Sequence, residues 1–231
     1  MKSINHLPAE DYVAETKGHT IHSWARYYDI LVGIISLGRE KKFRQAALDL
    51  VDLEPGMQVL DVGCGTGSLT IAVKHRLGKD GMVMGIDPSS NMVNLAQEKA
   101  EKEQVEVAFQ VGVIENIDFP ENQFDLVLSS LMMHHLPNEL KKDGLQEIYR
   151  VLKPNGILLI IEMDSNTLSL ASLIHGHSSQ LSAELEYIRR YLESTDFGSV
   201  EHGNLNFRGF SYLKVQKKKI GGSAGELYNG S

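Results

Sequence analysis

The sequence predicts a doubly wound α/β fold, with a mostly parallel sheet, one antiparallel edge strand and helical lid segments. Three observations carry this. An apolar run ends in an acid and then in glycines at alternate positions, Val59-Leu60-Asp61-Val62-Gly63-Cys64-Gly65-Thr66-Gly67, and helical spacing of Leu69, Ala72 and Val73 follows. That order is strand, tight turn, helix. A second short apolar run, Met82 to Ile86, ends in Asp87, 20 residues beyond Gly67. Short apolar strands and helical faces then alternate as far as Ile157–Ile161, a continuous apolar run suited to a strand buried on both sides.

Residues 1–20 are polar and without period, and read as a loose N-terminal segment. His22 to Asp29 is rich in aromatics. Phe43, Ala46, Ala47 and Leu50 repeat at i, i+3, i+4, i+7 and mark a helix that stops before Pro55-Gly56. The helix after the glycine turn ends at Gly78, a C-terminal cap. Ser89 caps a helix bearing Met92, Leu95, Ala96 and Ala100. Val105 to Val111 alternates as a third strand, and Phe124 to Ser130 is a fourth, with Asp125 entering it. Leu145, Ile148, Tyr149 and Leu152 mark a further helix face, and Lys153-Pro154-Asn155-Gly156 is a turn. Two helical faces, Leu170/Leu173/Ile174 and Leu181/Leu185/Ile188/Leu192, follow the fifth strand. Two readings are open for residues 164–195: a substrate lid over the strand ends, or plain packing on the sheet. Val200 to Lys217 reads as a hairpin around Arg208-Gly209 whose Lys214, Lys217, Lys218 and Lys219 form a solvated basic edge. Residues 220–231 are Gly- and Ser-rich and are expected to be disordered.

The chain has 231 residues, enough for one α/β domain with a substantial core, here spanning 21–219. No apolar run reaches the ~20 residues of a membrane span, and no signal-peptide pattern opens the chain. A single cysteine suits a reducing cytoplasm. A net charge of −7 disfavours a nucleic-acid partner. The nine histidines include His134-His135 and His175-Gly176-His177, but neither spacing is that of a metal site, so no metal is expected.

Glycines at the first turn let a ligand approach the backbone, and the N-terminal N–H groups of the next helix can face it. The dinucleotide fingerprint is G-x-G-x-x-G/A. Here the order is G-x-G-x-G, with Ser68 where a third small residue would stand, and Asp61 sits just before the turn. An acid there is poorly suited to a pyrophosphate. It suits a ligand carrying an ammonium and a sulfonium, such as S-adenosylmethionine (SAM). Asp87 can accept hydrogen bonds from ribose hydroxyls, or it can serve as a turn residue before Pro88-Ser89.

With these residues in view, the chain resembles the class I SAM-dependent methyltransferases, and among them the small-molecule group that includes the ubiquinone/menaquinone C-methyltransferases. The resemblance runs from about Tyr27 to Glu162, through Tyr27-Tyr28-Asp29, Val59 to Gly67, Gly85 to Ser89, Gly112 to Asp125, His134-His135-Leu136-Pro137 and Arg150 to Gly156. It implies the Rossmann-like methyltransferase fold, SAM as cofactor and a small-molecule methyl acceptor. It also implies a cofactor site made of Tyr28, Asp61, Gly63, Gly65, Gly67, Asp87, Pro88, Val113, Ile114 and Ser129. Val113 departs from the pattern. Relatives commonly carry an acid there for the adenine amine, which leaves backbone N–H groups of Val113 or Ile114, or the side chain of Glu115, to meet the ring. His134 falls where the resemblance puts substrate-side residues, and imidazole titrates in the right range for a general base. Packing and turn capping are the other roles open to the His134-His135 pair. Cys64 reads as a small filler, because methyl transfer needs no enzyme nucleophile. A non-catalytic SAM-binding protein would share every motif, and a nicotinamide-dependent oxidoreductase would share the turn and Asp87.

Overall fold

Apolar residues at consecutive positions of one strand point to opposite faces of a sheet, so the runs read above require cover on both sides. The computed structural model describes residues 40–163, 181–207 and 209–218. Its elements are α1 (Glu40–Leu48), β1 (Gln58–Val62), α2 (Ser68–Leu77), β2 (Met82–Asp87), α3 (Ser90–Glu103), β3 (Ala108–Val111), β4 (Phe124–Ser130), a 3₁₀ turn (Met133–His135), α4 (Asn138–Val151), β5 (Leu152–Met163), α5 (Ala183–Glu193), β6 (Glu201–Asn204) and β7 (Phe210–Gln216). The seven strands form one sheet in the order β3-β2-β1-β4-β5-β7-β6. β1 pairs in parallel with both β2 and β4, so the chain direction of travel across the sheet reverses beside it. β7 alone runs against the parallel strands, between β5 and the marginal β6, and the β6–β7 hairpin closes that side.

The alternation is read out residue by residue. Leu60 and Val62, Val127, Leu158 and Ile160 face a core completed by Leu145 and Ile148 of α4 and Leu185, Ile188 and Leu192 of α5. Val59, Leu126, Leu128, Leu159 and Ile161 face the other core, with Ala47 of α1 and Leu69, Val73 and Leu77 of α2. Two cores on one sheet are the doubly wound arrangement. Helix starts follow their capping chemistry: Ser89 Oγ accepts the N–H of Met92, and Gly78 ends α2 with its N–H on the Lys74 carbonyl.

Of the two roles open to residues 164–195, the described part, 183–193, packs on the sheet: Leu185, Ile188 and Leu192 are fully buried, each contributing about 1.5–3 kcal/mol of burial. Three expectations are corrected. The third strand is shorter than its alternation, because only Ala108–Val111 has a partner, β2, to pair with. Lys153–Gly156 does not separate helix from strand but bulges out of β5. Leu152 pairs with Phe124 and Ile157 with Leu126, and Asn155 adopts φ 66° in the excursion. Lys217 is not a solvated edge residue. It is 3% exposed, and its Nζ donates to Asn122 Oδ1 (2.9 Å) and to the carbonyls of Tyr149 (2.8 Å) and Leu152 (2.7 Å), 4.4 Å from the centre of the Tyr149 ring. Burial pulls its pKa down. Lys214 is partly covered as well, paired with Glu201 at 2.8 Å.

The N-terminal segment with Trp24, Tyr27 and Tyr28, the helical face Leu170/Leu173/Ile174 with His175 and His177, Arg208, Lys219 and the tail 220–231 lie outside the described residues. Among the described residues, no helix is long and apolar enough to cross a membrane.

Lys217→Ala strips the shared donor from three acceptors, the Leu152 carbonyl among them buried. It is expected to cost about 2–4 kcal/mol, read as a lower urea midpoint, whereas Lys218→Ala at an exposed position stays within about 0.5 kcal/mol of wild type.

Candidate active site

Ligands of open α/β sheets sit outside the C-terminal strand ends where the strand order reverses. Here that point lies between β1 and β4, and the tips of β1, β2, β4 and β5 supply its walls. The turn after β1 is pinned by Gly63 N–H and Cys64 N–H, both donating to the Ile86 carbonyl (2.8 and 3.0 Å). Gly63, Gly65 and Gly67 all have positive φ (72°, 52° and 74°). They differ in surroundings. A Cβ at Gly63 would lie 2.5 Å from Met132 Cγ, and one at Gly67 would lie 2.6 Å from Phe109 Cζ. A Cβ at Gly65 would meet nothing within 4 Å among the described residues. Gly63 and Gly67 are therefore glycine for packing, and the open side of the turn is above Gly65.

Two acids flank that opening. Asp87, at the tip of β2, accepts from Gly65 N–H on Oδ2 (3.0 Å) and from Ser89 N–H on Oδ1 (2.9 Å). Asp87 thus fills the turn role read from its sequence position. Asp61 is 2% exposed, on the opposite face of β1 from Leu60 and Val62, and accepts from Thr70 Oγ1 at 2.6 Å. Burial, partly offset by the Thr70 bond and reinforced by the Asp87 charge, pushes its pKa up to about 6. The Cys64 thiol is pushed up as well, by burial and by both acids, as befits a filler and not a nucleophile.

The remaining expected contacts divide. Ser129, at the end of β4, is 1% exposed and its Oγ has no partner among the described residues. Pro88 and Val113 are half-buried. Ile114 is 5% exposed with its side chain in the core against Gly144 of α4, so only its backbone is available to a ligand. Glu115 borders a 340 Å³ cleft beside α4 with Asp143 and Glu147. The segment is stapled to α4 by Ile117 N–H donating to Glu147 (3.0 Å) and by Arg150, which donates to the Ile117 and Phe119 carbonyls (both 2.7 Å).

Across the opening, His134 stands on the 3₁₀ turn after β4. Its Nδ1 lies 2.7 Å from Glu162 Oε2, and its ring centre lies 3.9 Å from that of His135. The bond to Glu162 raises its pKa from 6.5. Glu162 directly follows the apolar run Ile157–Ile161, and the sequence alone assigned it no task. Its only sequence signal is an acid ending an apolar strand, the pattern that singled out Asp87. Among the described residues no cluster of His, Cys, Asp and Glu is arranged to hold a metal ion.

Asp61→Asn keeps an acceptor for Thr70 and removes a buried charge. Because the Asp61 pKa is raised from 3.8 to about 6, wild-type stability is full below pH 3.8 and declines as pH rises through 6. The variant is therefore expected to match wild type near pH 4 and to exceed it by about 2–3 kcal/mol above pH 7, measured by denaturant titration at several pH values.

A methyltransferase-domain family model matches residues 59–156. The ubiquinone/menaquinone biosynthesis C-methyltransferase of Hydrogenovibrio crunogenus is 35% identical over 166 residues, 71% of this chain and 64% of that protein. The demethylmenaquinone methyltransferase of Staphylococcus epidermidis is 32% identical over 169 residues, 72% of this chain and 68% of that protein. The chain thus spans about two thirds of the length of these curated relatives. A SAM-dependent methyltransferase from Aquifex aeolicus superposes with a TM-score of 0.62 at 23% identity, covering 84% of this chain and 97% of that one, which shows the fold. A sequence match that runs from β1 into the bulge of β5, on a sheet of this order with the glycine turn at its reversal point, means that the chain belongs to the class I SAM-dependent methyltransferases, in the small-molecule group of the ubiquinone/menaquinone C-methyltransferases.

Proposed function

We propose that this protein transfers the methyl group of SAM to a small-molecule acceptor. The observation that carries the proposal is the open face above Gly65, bordered by Asp87 and backed by Asp61, at the reversal point of the sheet. The residues fit the cofactor. The missing Cβ at Gly65 leaves room for a ligand against the backbone. The buried Ser129 Oγ, which has no partner among the described residues, is a polar group suited to one. Two nearby carboxylates favour a ligand of net positive charge, and a nicotinamide dinucleotide with its pyrophosphate would meet them unfavourably.

SAM supplies a methyl group already activated on a sulfonium carbon. What remains for the protein is binding, alignment and exclusion of water. In this reading the Gly63–Gly67 turn and Asp87 hold the nucleoside and amino-acid parts, and Asp61 balances the positive charge from below. Pro88, Val113 and Ile114 border the adenine. Val113 makes the adenine wall apolar where relatives carry an acid, and Glu115 faces the α4 cleft. His134 serves as the general base on the acceptor side, its solvent-facing nitrogen taking a proton from an acceptor hydroxyl. The matched relatives are named for ubiquinone and menaquinone biosynthesis, which favours a quinone-type ring as the acceptor.

Isothermal calorimetry with SAM and with its demethylated product is expected to show binding of both, and affinity for SAM is expected to rise as pH rises through about 6 and Asp61 ionises. Asp87→Ala is expected to weaken SAM binding about ten- to a hundredfold and to lower the melting temperature, because Gly65 and Ser89 N–H lose their acceptor. Binding of NAD in place of SAM, or unchanged SAM affinity in Asp87→Ala, overturns the reading.

A further inference from the structure

A buried carboxylate is costly unless its oxygens are filled. Glu162 is 2% exposed at the tip of β5, and each oxygen is occupied. Oε1 accepts from the backbone N–H of Met132 (3.0 Å) and of Met133 (2.7 Å), and Oε2 faces His134 Nδ1 at 2.7 Å. The backbone is bent to make this possible. Leu131, between β4 and the 3₁₀ turn, adopts φ 57° and donates its N–H to the Ile161 carbonyl at 2.8 Å. A left-handed conformation costs a leucine about 1–2 kcal/mol and persists only where its surroundings hold it. Here it turns two successive amides and the following imidazole onto one acid. An ionised carboxylate has only acceptors to offer, so the nitrogen it meets must carry the hydrogen. The other nitrogen, Nε2, then keeps its lone pair. The side chain of His134 is 34% exposed, that of Glu162 only 3%.

We propose that Glu162 is the positioning residue of this site, holding His134 in the Nδ1–H tautomer with Nε2 as the outward proton acceptor. The inference rests on the reading of His134 as the base. The proton of the acceptor hydroxyl passes to Nε2, the electron pair stays on the acceptor, and the resulting imidazolium keeps its Nδ1–H bond to an ionised Glu162 until solvent takes the proton. The other charged or titratable groups facing His134 are its ring neighbour His135, tilted at 45°, Lys141 of α4 and Glu184 of α5. The last two form an ion pair at 2.8 Å and largely offset each other. The Glu162 bond therefore dominates, and the neutral base forms only above the ordinary imidazole range.

Glu162→Gln separates positioning from mere support. Its amide oxygen can keep both backbone N–H bonds, while its NH₂ group, turned to His134, makes Nδ1 an acceptor and moves the ring hydrogen to Nε2. The test is ¹⁵N NMR of the histidine-labelled full chain, with steady-state kinetics beside it. Wild type is expected to show the Nδ1–H tautomer and a His134 titration above 6.5. Glu162→Gln is expected to show the inverted tautomer, a lower titration point and a kcat reduced about tenfold or more, with KM for SAM unchanged. An Nε2–H tautomer in wild type, or a Gln variant with wild-type tautomer and kcat, overturns the inference. Full turnover in His134→Ala sinks the base reading on its own, and the tautomer measurement still decides whether Glu162 sets the ring. Should the Gln variant fail to bind SAM or to melt cooperatively, the wild-type spectrum and the charge-preserving Glu162→Asp decide the question.

Discussion

The constraint on which the rest of the structure depends is the close approach of Gly63 to Met132. A Cβ at Gly63 would sit 2.5 Å from the Met132 side chain, so the turn after β1 and the segment after β4 can share one wall only if position 63 is glycine. Met132 is also held from the other side, by its N–H on Glu162. The chain of contacts Gly63–Met132–Glu162–His134 therefore spans the cleft from the half that faces the proposed cofactor to the half that faces the proposed acceptor. In-line transfer is sensitive to misplacement of about 1 Å. A site whose two halves are locked through one methionine answers that demand.

The acids of this region have different partners, and the differences set their chemistry. Asp61 has one hydroxyl partner and little solvent, so its charge is costly until a cation arrives. Asp87 has two backbone N–H partners and so shapes the turn. Glu162 has two backbone N–H partners and an imidazole, so its influence is passed on to His134. Three carboxylates at three strand tips thereby serve three purposes, decided by what each accepts.

The far side of the sheet shows the same economy with a cation. Lys217 gathers the ends of α4 and the start of β5 by donating to Tyr149, Leu152 and Asn122. Next to it, Asn155 N–H donates to the Lys217 carbonyl and Lys217 N–H donates to the Gly156 carbonyl, so the bulge of β5 is closed by the end of β7. The hairpin that completes the sheet thus also fixes the strand that carries Glu162.

The sequence by itself determined the strand–turn–helix at Gly63–Gly67, the acid at the end of β2, β4 to the residue, the capping by Ser89 and the two-sided burial of β5, because each is written in local periodicity and turn chemistry. Local patterns cannot say what lies opposite a side chain in space. Only the tertiary structure decided which surface α5 covers, since an amphipathic helix has the same spacing whichever surface it meets. Only it turned Lys217 from a basic edge into a buried donor, because its three acceptors lie 65 to 95 residues away. Glu162 and His134, 28 residues apart, became a pair for the same reason. Parallel pairing of β4 and β5 brings their tips together, and the left-handed turn at Leu131 aims one at the other.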